Sequence, residues 1–359
     1  MAAMDATKVA GCFKDRTILV TGSTGFLAKL VVEKILRVQP DVKKLYLLVR
    51  APDNAAARQR VLHEILGKEL FNVLRAKHGA DFHSFIQEKI SSLAGDVAHQ
   101  NLGLENTRAQ QLFEEIDIIV HGAATTNFYE RYDVALASNT FGTAHICQFA
   151  RQCSHLKLLL HISTAYVVRL QKGQLLEKPL ELGQPLKKGR HLDIEAELKL
   201  ANEFRAKFMK DHSGADSSQK LEKVAMKELG FKRTMDALIV ASYEQRLPCF
   251  ITGSVLDSVL YAVNYLLLRG RLTEYHSKLN RSLNYLMSTA KFYAPYIFFK
   301  GCFDDTNLRT LWGTTGARHG DGYIFNFDSS CVDWRLYLFN THIPAVLKVA
   351  ADMKKQGRA

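Results

Sequence analysis

One string constrains this chain more than any other: Thr21-Gly22-Ser23-Thr24-Gly25-Phe26-Leu27-Ala28. Before it, Thr17 to Val20 is a short β-branched and apolar run; after it, Phe26 to Val38 carries apolar residues three and four apart. A strand that turns through glycines straight into an amphipathic helix opens a βαβ unit, and that unit demands a parallel sheet with helices on its faces. Gly22 permits the tight bend, Gly25 lets the backbone come close to a ligand, and small Ala28 allows close helix packing. The turn also gathers backbone N–H groups at the positive end of a helix dipole, a seat for a diphosphate that Gly22, Thr24, Gly25, Phe26 and Leu27 would line. A glycine turn that only joins strand to helix is the competing reading. Position, flanks and spacing together favour the dinucleotide seat.

The alternation continues along the chain. Strands are expected at Lys44 to Arg50, Ile90 to Asp96, Ile116 to His121 and Leu156 to Ser163, with helices at Ala55 to Ala76, Thr107 to Glu114 and Asp133 to Cys153. Runs such as Ile118-Ile119-Val120 suit strands buried on both faces. The fold class expected is α/β, a Rossmann-type doubly wound parallel sheet followed by a smaller, mainly helical C-terminal domain. Leu192 to Gly230 reads as two helices interrupted at His212-Ser213-Gly214, Thr234 to Thr252 as a helix or strand pair, and the chain from Val255 onward as predominantly helical. The boundary is placed near 254, giving domains 1–253 and 254–359, in keeping with roughly 100 to 200 residues per domain.

Where a carboxylate at the end of the second strand would bind the ribose 2′-hydroxyl of NAD, this chain has Val49-Arg50 and no acid until Asp53. Arg50 suits a 2′-phosphate, so NADPH is the expected cofactor; a solvated strand-end arginine is the plainer alternative. Asp96 is a candidate acceptor for an adenine amino group, or a turn-forming Asp. After His121, the small residues Gly122, Ala123 and Ala124 suit backbone lying against a cofactor, with simple packing as the rival.

The net charge of +12 favours anionic partners. Its basic residues are spread out rather than gathered with aromatics, which argues against nucleic acid and for cofactor phosphates, an anionic lipid face or mere solvation. Six cysteines show no CxxC pair and no Cys/His ligand spacing, so no metal site or disulfide framework is expected. Charged residues at Asp5, Lys8, Lys14 and Asp15 speak against a secretory signal, and the longest apolar stretch, Val255 to Leu268, is broken by Asp257, Ser258 and Asn264 and short for a spanning helix. The expected location is the cytoplasm or the endoplasmic reticulum surface. Tyr261 to Leu268 is a candidate membrane-facing or acyl-chain-facing helix, an ordinary core helix being the commoner explanation.

Together with Ile162-Ser163-Thr164-Ala165-Tyr166, these features resemble the extended short-chain dehydrogenase/reductase superfamily. Longer strings narrow the likeness: Phe26-Leu27-Ala28-Lys29, Glu33 to Arg37, Leu45 to Arg50, Thr125-Thr126-Asn127-Phe128 and Leu176 to Pro179 are similar to plant alcohol-forming fatty acyl-CoA reductases, the male-sterility-protein family. Lys278 to Arg281, Phe299 to Asp305, Phe325 to Asp328 and Asp333-Trp334 through His342-Ile343-Pro344 resemble that family's C-terminal domain. The resemblance implies NADPH-dependent reduction of a long-chain acyl-CoA, by way of an aldehyde, to a primary alcohol. It also implies a Ser or Thr hydroxyl and a Tyr phenol as donors to the developing oxyanion, and a Lys four residues after the Tyr that holds the cofactor ribose. Thr164 is the first choice for the hydroxyl and Ser163 the alternative, with a strand-end cap as the structural reading of either.

The Tyr-x-x-x-Lys pair is the departure. Of 13 tyrosines only Tyr296 has Lys four residues on, at Lys300, in an aromatic-rich stretch that reads as packing in the C-terminal domain. The chain passes from Gly230-Phe231-Lys232-Arg233 directly to Thr234-Met235, as though the Tyr/Lys helix and the strand after it had been omitted, and a second junction near Val259 looks similar. Such a chain would expose an unpaired sheet edge. The alternative to an active reductase is therefore a catalytically impaired, dinucleotide-binding relative. A nucleotide-sugar epimerase of the same superfamily would leave the C-terminal strings unexplained.

Overall fold

A computed structural model of the chain describes residues 6–127, 129–165, 173–178, 193–212, 218–238, 299–314 and 331–355. Two compact units are present, one of Lys14–Asp304 and one of Met1–Phe13 with Asp305–Ala359. The expected boundary at 253/254, Tyr261 to Leu268 and Tyr296 lie outside the described residues.

The larger unit is built on five parallel strands: β1 (Thr17–Thr21), β2 (Lys44–Val49), β3 (Ile90–Ala94), β4 (Ile118–His121) and β5 (Leu158–His161). Their order is β3-β2-β1-β4-β5. The sequence thus runs outward one way through β2 and β3, then returns past β1 to β4 and β5. In register, Leu19 stands beside Tyr46 and Ile119, and Thr21 beside His121. Helices α2 (Phe26–Val38), α3 (Asn54–Arg60), α4 (Asn72–His78), α5 (Phe82–Lys89), α6 (Asn106–Glu115), α7 (Tyr132–Ala135) and α8 (Gly142–Gln152) fill the connections; the short α1 (Ala6–Gly11) precedes β1 in the chain and belongs to the smaller unit. One face of the sheet, Leu19, Tyr46, Leu48, Leu93 and Ile119, packs under Ala109 and Leu112 of α6 and Ile146, Phe149 and Ala150 of α8. The opposite face, with Ile18, Val20, Leu45, Leu47 and Val120, is equally buried, as the all-apolar strands require.

The expected helix Ala55 to Ala76 is in fact broken. After α3 the backbone widens into a π turn (Val61–Leu66), passes Gly67, and re-forms as a short 3₁₀ turn (Glu69–Phe71) before α4. Apolar periodicity persists across the break, which is why it reads as one helix. The expected helix Asp133 to Cys153 likewise contains a π turn, Leu136–Phe141, between α7 and α8.

β5 ends the sheet among the described residues. Leu158 and Leu160 are 49% and 47% exposed, whereas Ile118 and Val120, their partners on β4, are 6% and 5% exposed. Leu159, on the other face of β5, packs against the core under α6 and α8, so it is the Leu158/Leu160 face that stands open.

The remaining helices α9 (Ile194–Asp211) and α10 (Ser218–Leu238) form the expected pair, and α10 runs unbroken through 233/234. They join α7 through a small core of Leu136, Ala201 and Met226, and through ions. Arg131 donates to Asp133 and, at 2.7 and 3.2 Å, to buried Glu222, which Arg205 also meets at 2.9 Å. Tyr132 donates to Glu197 at 2.5 Å and Arg233 pairs with the same carboxylate. Two strands complete the unit, β6 (Gly173–Leu175) and β7 (Gly301–Phe303), paired in parallel. In the smaller unit the described elements after residue 305 are helical, α11 (Thr306–Thr314), α12 (Trp334–Tyr337) and α13 (Ile343–Lys355), with Asp333 capping α12 through Leu336 N–H.

Glu222 is the keystone of the ion cluster because it is buried while both its arginines reach solvent. Glu222→Gln keeps the volume but leaves Arg131 with Asp133 as its one carboxylate partner among the described residues. Since Arg205 is half exposed and its share is screened, we expect a loss of about 1–3 kcal/mol, read as a lower urea midpoint with unchanged slope.

Candidate functional site

The order of strands reverses between β1 and β4, and at that point a parallel sheet leaves a crevice beyond its carboxyl edge, because the chain leaves the two neighbouring strands in opposite directions. A cleft of about 360 Å³ opens there. Of the expected cofactor residues it brings together Gly22, Thr24, Gly25, Arg50, Asp96, Ala123 and Ala124. Phe26 and Leu27 do not line it with side chains, which are 81% and 48% exposed at the head of α2. What they offer is backbone: no side chain caps the helix at Gly25, and the first N–H groups of a helix have no acceptor within it. Ser163 and Thr164 follow β5, are exposed, and are not among the lining residues.

Gly22 shows why the turn needs glycine. Its φ is +70°, and a Cβ there would lie 2.6 Å from the carbonyl oxygen of Gly122 and 2.8 Å from the nitrogen of Ala123. The exits of β1 and β4 touch backbone to backbone. A Cβ on Gly25 would meet the Gly22 carbonyl at 2.9 Å, the same carbonyl that accepts the Gly25 N–H at 2.8 Å. Gly22→Ala therefore has to push two strand exits apart. We expect dinucleotide affinity to fall at least tenfold by calorimetry, with retention of wild-type affinity as the contrary result.

On the other wall Asp53 caps α3 by accepting from Ala56 N–H at 2.7 Å, so the first carboxylate after β2 is spent on the backbone. Arg60, missed in the sequence, lines the cleft beside Arg50. Its Nη1 donates to the Arg50 carbonyl at 2.6 Å while Nε and Nη2 grip Glu64 at 2.6 and 2.9 Å. The Arg60/Glu64 spacing on a helix was the available signal; its nearness to Arg50 depends on the cap at Asp53. Asp96 Oδ1 accepts from Ala98 N–H at 3.0 Å, so the turn-forming role is realised in a residue that also lines the cleft.

The floor is residues 122–127. Asn139, in the π turn before α8, accepts from Thr125 N–H at 2.8 Å and donates to Thr125 O at 3.0 Å. Buried His121 sits beneath, stacked on His161 with centroids 5.0 Å apart. Burial first, and the neighbouring imidazole second, hold its pKa down to about 4 against an ordinary 6.5. The unfolded chain therefore binds a proton that the folded chain refuses between those values, and stability falls as pH is lowered from about 6.5 toward 4. In His121→Gln this component of the slope of stability against pH is expected to vanish in urea titrations at stepped pH; an unchanged slope would contradict the assignment.

Among the described residues no group of His, Cys, Asp and Glu is placed to hold a metal ion, and no helix is long and apolar enough to cross a membrane.

Sheet order, glycine turn and cleft define a protein of the nicotinamide-dinucleotide-binding Rossmann class. Residues 20–244 match one family model described as male sterility protein, and residues 257–351 match a second with the same description. Fatty acyl-CoA reductase 1 of Arabidopsis thaliana is 31% identical in an alignment of 477 residues that takes in 93% of this chain and 97% of that one. The alcohol-forming fatty acyl-CoA reductase of Simmondsia chinensis is 45% identical over 224 residues, 61% of this chain and 44% of its own. The terminal R domain from the myxalamid PKS-NRPS biosynthetic pathway is 29% identical over 56% of this chain and 46% of its own, with a TM-score of 0.40. This chain belongs to the male sterility protein family, the fatty acyl-CoA reductases. The 477-residue alignment exceeds the chain's 359 residues, so the relative carries stretches with no counterpart here.

Proposed function

We propose that this chain binds NADPH and reduces a long-chain acyl-CoA to a primary alcohol. The observation that carries the reading is the cleft wall at the end of β2, where Arg50 stands beside Arg60 and both nearby acids are engaged, Asp53 as a helix cap and Glu64 in an ion pair with Arg60. A 2′-phosphate gains the Arg50 guanidinium there, while a ribose 2′-hydroxyl finds no carboxylate that is not already engaged. The cradle suits the rest of the dinucleotide: glycines at 22 and 25 allow a turn so tight that a Cβ would strike neighbouring backbone, and the uncapped start of α2 supplies N–H donors for a pyrophosphate.

When bound, the cofactor would supply hydride to the carbonyl carbon; the first reduction breaks the C–S bond and releases CoA as its thiol to leave an aldehyde, and a second hydride with a proton gives the alcohol. The chain's own contribution is to hold and to donate. Gly22, Thr24 and Gly25 orient the diphosphate, Arg50 anchors the phosphate end, and Ala123 and Ala124 leave space beside it. Thr164, or Ser163 in its place, donates to the carbonyl oxygen as negative charge grows on it.

A second reading has its own support: a family member that binds the dinucleotide without turning over substrate. The Tyr-x-x-x-Lys pairing occurs only at Tyr296/Lys300, the A. thaliana relative carries stretches this chain lacks, and Leu158 and Leu160 stand exposed at the sheet edge. Loss of one general acid costs about 10²- to 10⁴-fold, so slow turnover remains compatible with the first reading. Purified protein given NADPH and a long-chain acyl-CoA series separates the two. The first predicts NADPH loss with alcohol product, slowed at least tenfold by Thr164→Ala. Tight NADPH binding with no product selects the second, and turnover indifferent to both Thr164→Ala and Ser163→Ala removes the hydroxyl assignment.

A further inference from the structure

His121 lies outside the lining of the cleft, yet it is bonded to both loops that form it. Thr21 ends β1, is fully buried, and its Oγ1 is 2.8 Å from His121 Nδ1; the same oxygen accepts from Ala123 N–H at 3.2 Å. On the far side of the ring, His121 Nε2 is 3.4 Å from Thr143 Oγ1, and Thr143 donates its own proton to the Asn139 carbonyl at 2.9 Å. The two ends of this chain fix its direction. The Ala123 end is an N–H, which needs an acceptor, and the Asn139 end is a carbonyl, which needs a donor. Thr143 has spent its proton, so it accepts from Nε2–H; Thr21 offers its proton to Nδ1 and keeps a lone pair for Ala123. One tautomer satisfies every group.

We propose that His121 is a positioning residue for the dinucleotide cleft: as a neutral imidazole protonated on Nε2, it holds the loop 122–127 to the end of β1 through Thr21 and to the π turn before α8 through Thr143. This rests on the reading of the cleft as a dinucleotide site and adds what sets the cleft's width. Thr21 grips the N–H of Ala123, the atom that with the Gly122 carbonyl lies within 2.8 Å of where a Cβ on Gly22 would stand, so the relay acts at the point where the two strand exits meet. Asn139, whose carbonyl ends the chain, also clamps Thr125 with its side chain, so the two ends of the relay hold successive residues of one loop. The ring charged on both nitrogens would aim a second N–H at Thr21, leaving the buried Thr21 hydroxyl proton without the ring as acceptor.

The test uses the full chain and two kinds of readout. Long-range ¹H–¹⁵N spectra of the His121 ring, assigned by their loss in His121→Gln, are expected to show Nε2 protonated and Nδ1 bare at neutral pH. Thr21→Val, which keeps shape and loses the hydroxyl, is expected to speed exchange of the Ala123 amide and to weaken NADPH about tenfold, with Thr21→Ser restoring both. The Nδ1–H tautomer or an imidazolium overturns the proposal. So does Thr21→Val with unaltered Ala123 exchange, or an affinity loss that Thr21→Ser fails to rescue although its thermal midpoint matches the wild type. If wild-type protein binds no NADPH, the dinucleotide reading fails, and the ring spectrum with Ala123 exchange still decides the relay.

Discussion

The close approach of two strand exits governs this molecule. β1 and β4 are parallel neighbours at the centre of the sheet, and the backbone leaving one touches the backbone leaving the other at Gly22 and Gly122. A side chain at 22 has no place, and the backbone conformation there is one that other residues rarely adopt. Because the turn is that tight, α2 begins at once, with its first N–H groups beside the cleft and with no side chain to cap them. The position of the glycine turn in the sheet, the open helix end and the small residues 122–124 are consequences of one packing contact. The hydroxyl–imidazole chain from Thr21 to Thr143 keeps that contact from opening.

Much of this is legible in the sequence, for a local reason. β1, β2, β4 and β5 are short, mainly apolar runs bounded by polar turns or glycines, and α2 has an unbroken apolar stripe, so each of these elements declares itself within a dozen residues. What is not legible depends on distance along the chain or on backbone widening. The break after Arg60 hides because apolar residues stay in phase through a π turn, and α5 hides because Phe85 and Ile86 are its only buried side chains. Arg60 enters the cleft only because Asp53 sets the start of α3. Glu222 meets Arg131 from 91 residues away, which no spacing rule reaches.

The two halves of the site stand differently. On the dinucleotide side, seven of the expected residues line one cleft, with Arg60 beside Arg50. The expected hydroxyls at 163 and 164 lie beyond β5, the strand where cover over the sheet ends. Among the described residues no strand pairs with the outer edge of β5, and Tyr-x-x-x-Lys occurs in the sequence only at Tyr296/Lys300. β1, β2 and β4 are enclosed by β3, β5 and helices that precede 233/234.

The most direct measurement of the central claim is titration calorimetry of the folded full chain with NADPH and, separately, NADH. The account predicts saturable binding of both, with NADPH tighter by about tenfold or more, as the Arg50 guanidinium beside a 2′-phosphate requires. No binding, or a preference for NADH, would contradict it.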